Sequence, residues 1–456
     1  MSDRDDLAAC LVVGLAGPDL HPAEVAWLVR HRPAGVILFG RNVTGADQLA
    51  ALGAALHAAV PGLEIGADHE GGPVAVLAAA VGRPPAAATL GLLDDPDLTR
   101  RVHAATGRRL AACGIDRVFA PVADVLTEPR NPVIGVRAFG ADPDLVARHV
   151  AAAVAGLQEG GVACCLKHWP GHGGTVTDSH LEAAVLGAPP PAAPFAAGLA
   201  AGAGAAMVAH VLPPGGGGLP ASLDPAQAAA LRALAPDRAL VLYADDVTMG
   251  ALRAPLAAAG VAGPAAAGLA DPADLTAAWL RAVLAGGCDR LLVRGIPWGA
   301  YPDEDRGPGP AAAAAGVAGP GPAPDEAWRE AWARLADRLD PAFAGGDGVF
   351  LVDRTAGDRW GPVAAGEGSG PPPGCPDDPH DPGHPGAGAA GARRILVASH
   401  RPLARAQEAA WATVAAPQGR ALGVGHPALA ADLRALLPPA WAVSWLPEWP
   451  GGADRK

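Results

Sequence analysis

The chain has 456 residues, with 34 Lys and Arg against 46 Asp and Glu, a net charge of −12. That balance argues against a nucleic-acid or anionic-membrane protein, since either needs a basic face. Half of the residues are hydrophobic, enough for a large core, but 61 glycines and 48 prolines are unevenly spread and mark where a core is not expected.

The N-terminus, Met1-Ser2-Asp3-Arg4-Asp5-Asp6, is acidic, whereas a secretory leader starts basic and continues apolar; a cytoplasmic protein is expected. Eight apolar runs then alternate with helical patterns: Leu7–Leu15, Gly35–Phe39, Leu63–Ala67, Arg117–Ala120, Val162–Leu166, Ala205–Ala209, Ala239–Ala244 and Arg290–Val293. Four intervening segments share one start signal, Asp95-Pro96, Asp142-Pro143, Asp224-Pro225 and Asp271-Pro272. Asp caps free N–H groups, and Pro fits the first helical position because its missing N–H has no partner there. After Asp142, the residues Val146, Val150, Val154 and Leu157 fall on one helical face, and Gly160-Gly161 ends it. Eight strands alternating with helices predict a TIM-like (β/α)8 barrel, an α/β fold, over residues 1–299.

The stretch Ala183–Leu223 carries no Asp, Glu, Lys or Arg, but Pro189-Pro190-Pro191 and Gly215–Gly218 break it, so it is no membrane span. Cys10, Cys164 and Cys165 sit in apolar runs, and Cys113 and Cys288 at helix ends; the six cysteines read as small core residues, without disulfides. Residues 300–324 form a Pro/Ala/Gly linker. Residues 325–456 predict a small, degenerate C-terminal α/β domain. Its helices are expected at Asp325–Leu339, Leu403–Val414 and Ala428–Leu437, and its strands at Gly348–Val352, Ile395–Ala398, Ala421–Val424 and Ala442–Trp445. Within it, Gly361–Gly391 is too rich in Gly and Pro to order. A chain ending near Gly299 is expected to keep activity if the C-terminal half supplies no catalytic group.

Active sites of (β/α)8 barrels lie at the C-terminal ends of the strands. Five of the eight runs end in ionisable residues: Asp68-His69-Glu70, Asp124, Lys167-His168, His210 and Asp245-Asp246. Asp245 and Asp246 cannot both face the mouth while strand geometry persists, because side chains alternate. The densest segment is Lys167-His168-Trp169-Pro170-Gly171-His172-Gly173-Gly174-Thr175-Val176-Thr177-Asp178-Ser179-His180. It admits two chemistries. His168, His172, Asp178 and His180 have the ligand types of a metal site, although Lys167 beside them repels a cation. Alternatively, Asp178 orients His180 as a general acid/base, fixing its tautomer and raising its proton affinity.

Lys167–His180 resembles the Lys-His-(aromatic)-Pro-Gly-His-Gly-x4-Asp-Ser-His pattern of bacterial β-N-acetylhexosaminidases in glycoside hydrolase family 3. The resemblance continues, in family order, through Gly35–Asn42, Asp68-His69-Glu70-Gly71-Gly72, Phe119–Asp124, Ile134–Gly140 and Ala244–Met249. It implies a retaining double displacement, with Asp245 as nucleophile, His180 as acid/base and Asp178 as its partner. Asp68, Arg137, Lys167 and His168 resemble the positions that hold a terminal N-acetylglucosamine, and His210 matches a family histidine after the sixth strand. The resemblance implies no cofactor and no metal. Its implied partner is a small carbohydrate, an N-acetylglucosaminide or muropeptide-type fragment from peptidoglycan, with no nucleic acid or membrane. The sequence departs from the family where both arginines of Asp-Gln-Glu-Gly-Gly-Arg-Val-Gln-Arg are lost, at Pro73 and Val76. The alternatives to hydrolysis are a non-catalytic sugar-binding or regulatory homologue, and a phosphorylase. The latter is suggested because a histidine that has given up its proton is neutral and does not repel phosphate.

Overall fold

In the computed structural model the eight runs become one parallel barrel. The structure describes residues 3–72, 74–128, 131, 133–177, 179, 183–263, 271–297, 322 and 325–339, and four strands further on. In spatial order the barrel strands are Ala163–Cys164, Arg117–Val118, Glu64–Ala67, Gly35–Leu38, Leu11–Gly14, Arg290–Val293, Val241–Ala244, Ala205–Val208 and Leu166–Trp169. The first and last of these are the two pieces of one strand, interrupted at Cys165, so the order runs round the barrel and returns to its start. All of these pairings are parallel, as strands joined by crossover helices must be.

Side-chain alternation splits each strand into two apolar sets. Val12, Ile37, Phe119, Cys165, Met207, Tyr243 and Leu292 belong to a cluster in the barrel interior. Their neighbours Leu11, Val13, Val36, Leu38, Leu242, Ala244, Leu291 and Val293 belong to the larger core beneath the helices. At the strand starts, Arg117 Nε donates to Glu64 at 2.9 Å and Tyr243 Oη donates to Glu64 at 2.5 Å, so the buried charge there is paired.

Several strands differ from their expected runs by a few residues at one end, and three differences go further. The first run is a helix at Asp3–Ala8 and a strand only from Leu11. The fifth runs on through Lys167, His168 and Trp169. Asp95, Asp142 and Asp224 cap helices with their side chains, but Asp271 caps only the short 3₁₀ turn Pro272–Asp274. The helix after it starts at Ala277, where Thr276 offers its own hydroxyl to Trp279 N–H. Cys113, Cys164, Cys165 and Cys288 are buried free thiols and Cys10 is partly buried. Among the described residues, no helix is long and apolar enough to cross a membrane.

Beyond the barrel, Glu326–Leu339 is a helix, and Val349–Asp353, Ala392–Ala398, Gln418–Val424 and Ala442–Leu446 form a parallel sheet in chain order. The expected helices Leu403–Val414 and Ala428–Leu437 and the stretch Gly361–Gly391 lie outside the described residues, as does the 300–324 linker apart from Pro322.

Candidate active site

Alternation carries the strand phase into the mouth. Tyr243 points inward and Ala244 outward, so Asp245 continues the inner set; Lys167 likewise follows inward Cys165. Lys167 Nζ bonds Asp68 at 2.6 Å and Glu70 at 2.5 Å. Arg137 grips Glu70 through both carboxylate oxygens at 2.8 Å, the fork geometry that a guanidinium offers and an ammonium does not. Burial alone would raise the Glu70 carboxyl, but Arg137 and Lys167 outweigh it and hold it at about 2. Burial would lower Lys167, and the carboxylates of Asp68 and Glu70 raise it instead.

A second layer fixes the imidazoles. Arg137 Nη2 lies 3.2 Å from His168 Nε2, and a guanidinium only donates, so that nitrogen accepts. The hydrogen is therefore on Nδ1, which donates to Asp124 at 2.7 Å. The other Asp124 oxygen accepts His172 N–H at 2.6 Å. His172 pairs Nε2 with Ser179 Oγ at 2.8 Å and Nδ1 with Thr175 Oγ1 at 3.0 Å, and burial lowers it to about 4. Both rings thus spend their nitrogens on protein partners, which counts against the metal reading of the loop. Asn131 ties the loop to its neighbour: its amide nitrogen donates to the carbonyls of His172 and Thr175, and its oxygen accepts from Val133 and Ile134.

The adjacent aspartates separate cleanly. Asp246 is buried; it accepts from Thr248 N at 3.0 Å and Thr248 Oγ1 at 2.7 Å, and Arg294 Nε bonds its other oxygen. Asp245 is partly exposed, and one of its oxygens accepts Asp246 N–H at 2.8 Å. Its charge reaches His172 and His210. His210, expected among the sugar contacts, has no exposed surface. Its Nε2 donates to the Asp246 carbonyl at 3.0 Å and its Nδ1 accepts from Ser222 at 2.7 Å, so it bears on the backbone of the aspartate pair.

Asp68, Lys167, Arg137 and His168 are therefore brought into one connected network. Asp178 and His180 lie outside the described residues, while Ser179 between them is buried against His172. Of the two departures, Pro73 lies outside the described residues, and Val76 N–H donates to the Asp68 carbonyl at 3.1 Å. The sequence places Glu70 and Asp124 at the mouth but assigns them no role, and it does not single out Arg294. Each follows directly or closely on a strand run, and the rule that singled out Lys167 would have reached Arg294, just past Arg290–Val293.

A parallel (β/α)8 barrel with charged groups converging at its strand ends is the architecture of a barrel enzyme. The profile of the glycosyl hydrolase family 3 N-terminal domain matches residues 10–266, more than half of the chain, and the chain belongs to that family. A β-hexosaminidase of Xanthomonas oryzae pv. oryzae is 35% identical over 304 residues, spanning 62% of this chain and 83% of that protein. One from Xylella fastidiosa (strain M12) is 39% identical over 217 residues, covering 45% of this chain and 64% of that protein, just under two thirds of its length. Among solved structures, NagZ from Neisseria gonorrhoeae superposes with a TM-score of 0.53 at 31% identity, over 63% of this chain and 81% of that one. A family 3 β-N-acetylglucosaminidase from a Paenibacillus species gives 0.66 over 98% of this chain and 90% of its own, and at 23% identity it speaks for the fold.

Proposed function

We propose that the protein is a retaining exo-β-N-acetylglucosaminidase acting on terminal β-linked N-acetylglucosamine. The observation that carries this reading is the division of labour between Asp245 and Asp246. One carboxylate is locked by Arg294 and Thr248, and its neighbour is left partly exposed at the mouth, opposite a donor and acceptor network suited to sugar hydroxyls. The names of the relatives support the sugar class.

In the first step an Asp245 oxygen bonds the anomeric carbon, the glycosidic bond breaks, and the leaving oxygen takes a proton from His180, oriented by Asp178. In the second, water attacks the same carbon, His180 recovers a proton from that water, and the Asp245 carboxylate is released. Lys167 and Arg137 donate to the bound sugar and Asp68 accepts from it. Peptidoglycan fragments are the proposed source of the sugar, in a cytoplasmic setting.

The test is turnover of an aryl β-N-acetylglucosaminide, followed by trapping with a fluorinated glycosyl inactivator. Label on Asp245 is the expected result. Label on Asp246 would reverse the strand phase, and binding without turnover would favour a sugar-binding homologue. Product analysis with added phosphate is expected to give free sugar only; N-acetylglucosamine 1-phosphate would mean phosphorolysis.

A further inference from the structure

The helix Glu326–Leu339 lies outside the eightfold repeat, yet it packs on the barrel behind the sugar pocket. Trp328 is fully buried there, its indole N–H donating to the Val102 carbonyl at 3.3 Å. The Arg109 guanidinium covers its ring at 4.7 Å and donates to the Val81 carbonyl at 3.0 Å. Gly82 fits against the same ring so closely that a Cβ would stand 2.9 Å from it. Two charged contacts fix the docking: Arg101 with Glu330 at 2.6 and 3.0 Å, and Arg334 with Asp95 at 2.7 Å.

What lies on the other side of these contacts is the sugar-binding machinery. Val81 and Gly82 close the short helix Ala78–Val81, and Leu77 N–H before it donates to buried His69 at 3.3 Å. His69 stands between Asp68 and Glu70 and opens the antiparallel pair His69–Gly71 with Val74–Ala75, and the Pro84 carbonyl accepts from Gly72 N–H just past its first strand. A second arm runs through the helix Ala87–Leu93, which touches both Glu326–Leu339 and the turn Gly135–Arg137. Its Gly91 is pressed on the Phe139 carbonyl, where any Cβ would overlap.

We infer that Glu326–Leu339 is a brace that positions Asp68, Glu70 and Arg137 for the sugar, with Trp328 as its principal positioning residue. The inference rests on the sugar-binding reading of that pocket. The supports of Asp245 sit elsewhere: the strand Val241–Ala244 lies four steps round the barrel from Glu64–Ala67. Loosening the brace therefore acts on substrate binding before chemistry, because sub-ångström placement of the contacts governs affinity.

The experiment uses the full chain and an aryl β-N-acetylglucosaminide. Trp328→Ala is expected to raise KM by about tenfold while kcat stays within about threefold, with the Kd for N-acetylglucosamine weakened in parallel. Trp328→Phe restores most of the loss, and Glu330→Gln, which leaves no cavity, gives a smaller shift in the same direction. Leu56→Ala, in the core of Ala46–Ala59, serves as a control that lowers the melting temperature without moving KM. Unchanged KM and Kd in Trp328→Ala, or an equal rise in Leu56→Ala, would overturn the brace; if Trp328→Ala does not fold, Glu330→Gln decides. Amide exchange at residues 68–77 reads the brace apart from activity: faster exchange there than at 241–244 in Trp328→Ala is expected. A wild type that neither binds nor cleaves the sugar would sink the functional reading, and the exchange result would still judge the brace.

Discussion

Asp246 is held by Arg294 and Thr248, while its neighbour Asp245 is partly exposed at the mouth. The sequence said that one of the two aspartates must turn away, from alternation alone. The phase of Tyr243 and Ala244 settles that Asp246 turns away, and what holds it there is Arg294, a residue just past the next strand that no local pattern links to Asp246. Asp245→Asn is expected to cut turnover by about 10⁴-fold or more while leaving N-acetylglucosamine binding in place, measured by single-turnover kinetics and calorimetry. Arg294→Gln is expected to do something different. It leaves the largely buried Asp246 carboxylate without its cation and costs about 2 kcal/mol of stability. It also lowers kcat, because the turn that holds Asp245 loses its anchor. An Arg294→Gln enzyme with wild-type kcat would show that Asp245 is held without it.

At the scale of the element, the loop after Trp169 is held from outside by groups that are distant in sequence. Asp124 and Asn131 each bind it through its backbone, and Ser179 pins its far end to His172. The sequence shows the loop and its density of histidines, and a metal ligand is one of the two readings it leaves open for His172. Burial and two hydroxyl partners make it a fastening instead. Helix starts were easier to read, because Asp-Pro is a local signal with a local cause; Asp271 departs only where Thr276 competes for the role. Asn131→Ala takes away the acceptor of the Val133 and Ile134 N–H groups and a donor to the carbonyls of His172 and Thr175, the first of which still accepts from Thr175. It is expected to cost about 2–3 kcal/mol and to reduce kcat/KM, with both read from denaturation and kinetics on one preparation. A variant that loses stability but keeps kcat/KM would mean the loop geometry survives without that tether.

For the whole molecule, the barrel was legible because eight apolar runs at regular spacing leave few topologies. The attachment of Glu326–Leu339 to it was not, since it depends on Trp328 meeting Gly82 across a long separation in the chain. A chain ending near Gly299 is therefore expected to lose sugar affinity as well as stability, and one ending near residue 340 to keep both, as binding calorimetry on the two would show.

Buried histidines set the response of the molecule to acid. Burial lowers His103 and His172 to about 4, and burial with Arg83 nearby lowers His69 to about 3, against 6.5 in the unfolded chain. Between roughly pH 6.5 and 4 the unfolded chain therefore binds protons that the fold refuses. Stability is full above that window and lost as pH falls through it, by about 1.4 kcal/mol per unit for each ring. Glu70, held at about 2 from 4.5, extends the loss further into acid, since its stabilisation is present above 4.5 and disappears on protonation. Urea denaturation at pH 7, 6 and 5 is expected to show a falling midpoint, with a slope shallower by about one proton in His103→Gln. A midpoint that stays level or rises between pH 7 and 5 would mean that the rings are already charged in the folded barrel.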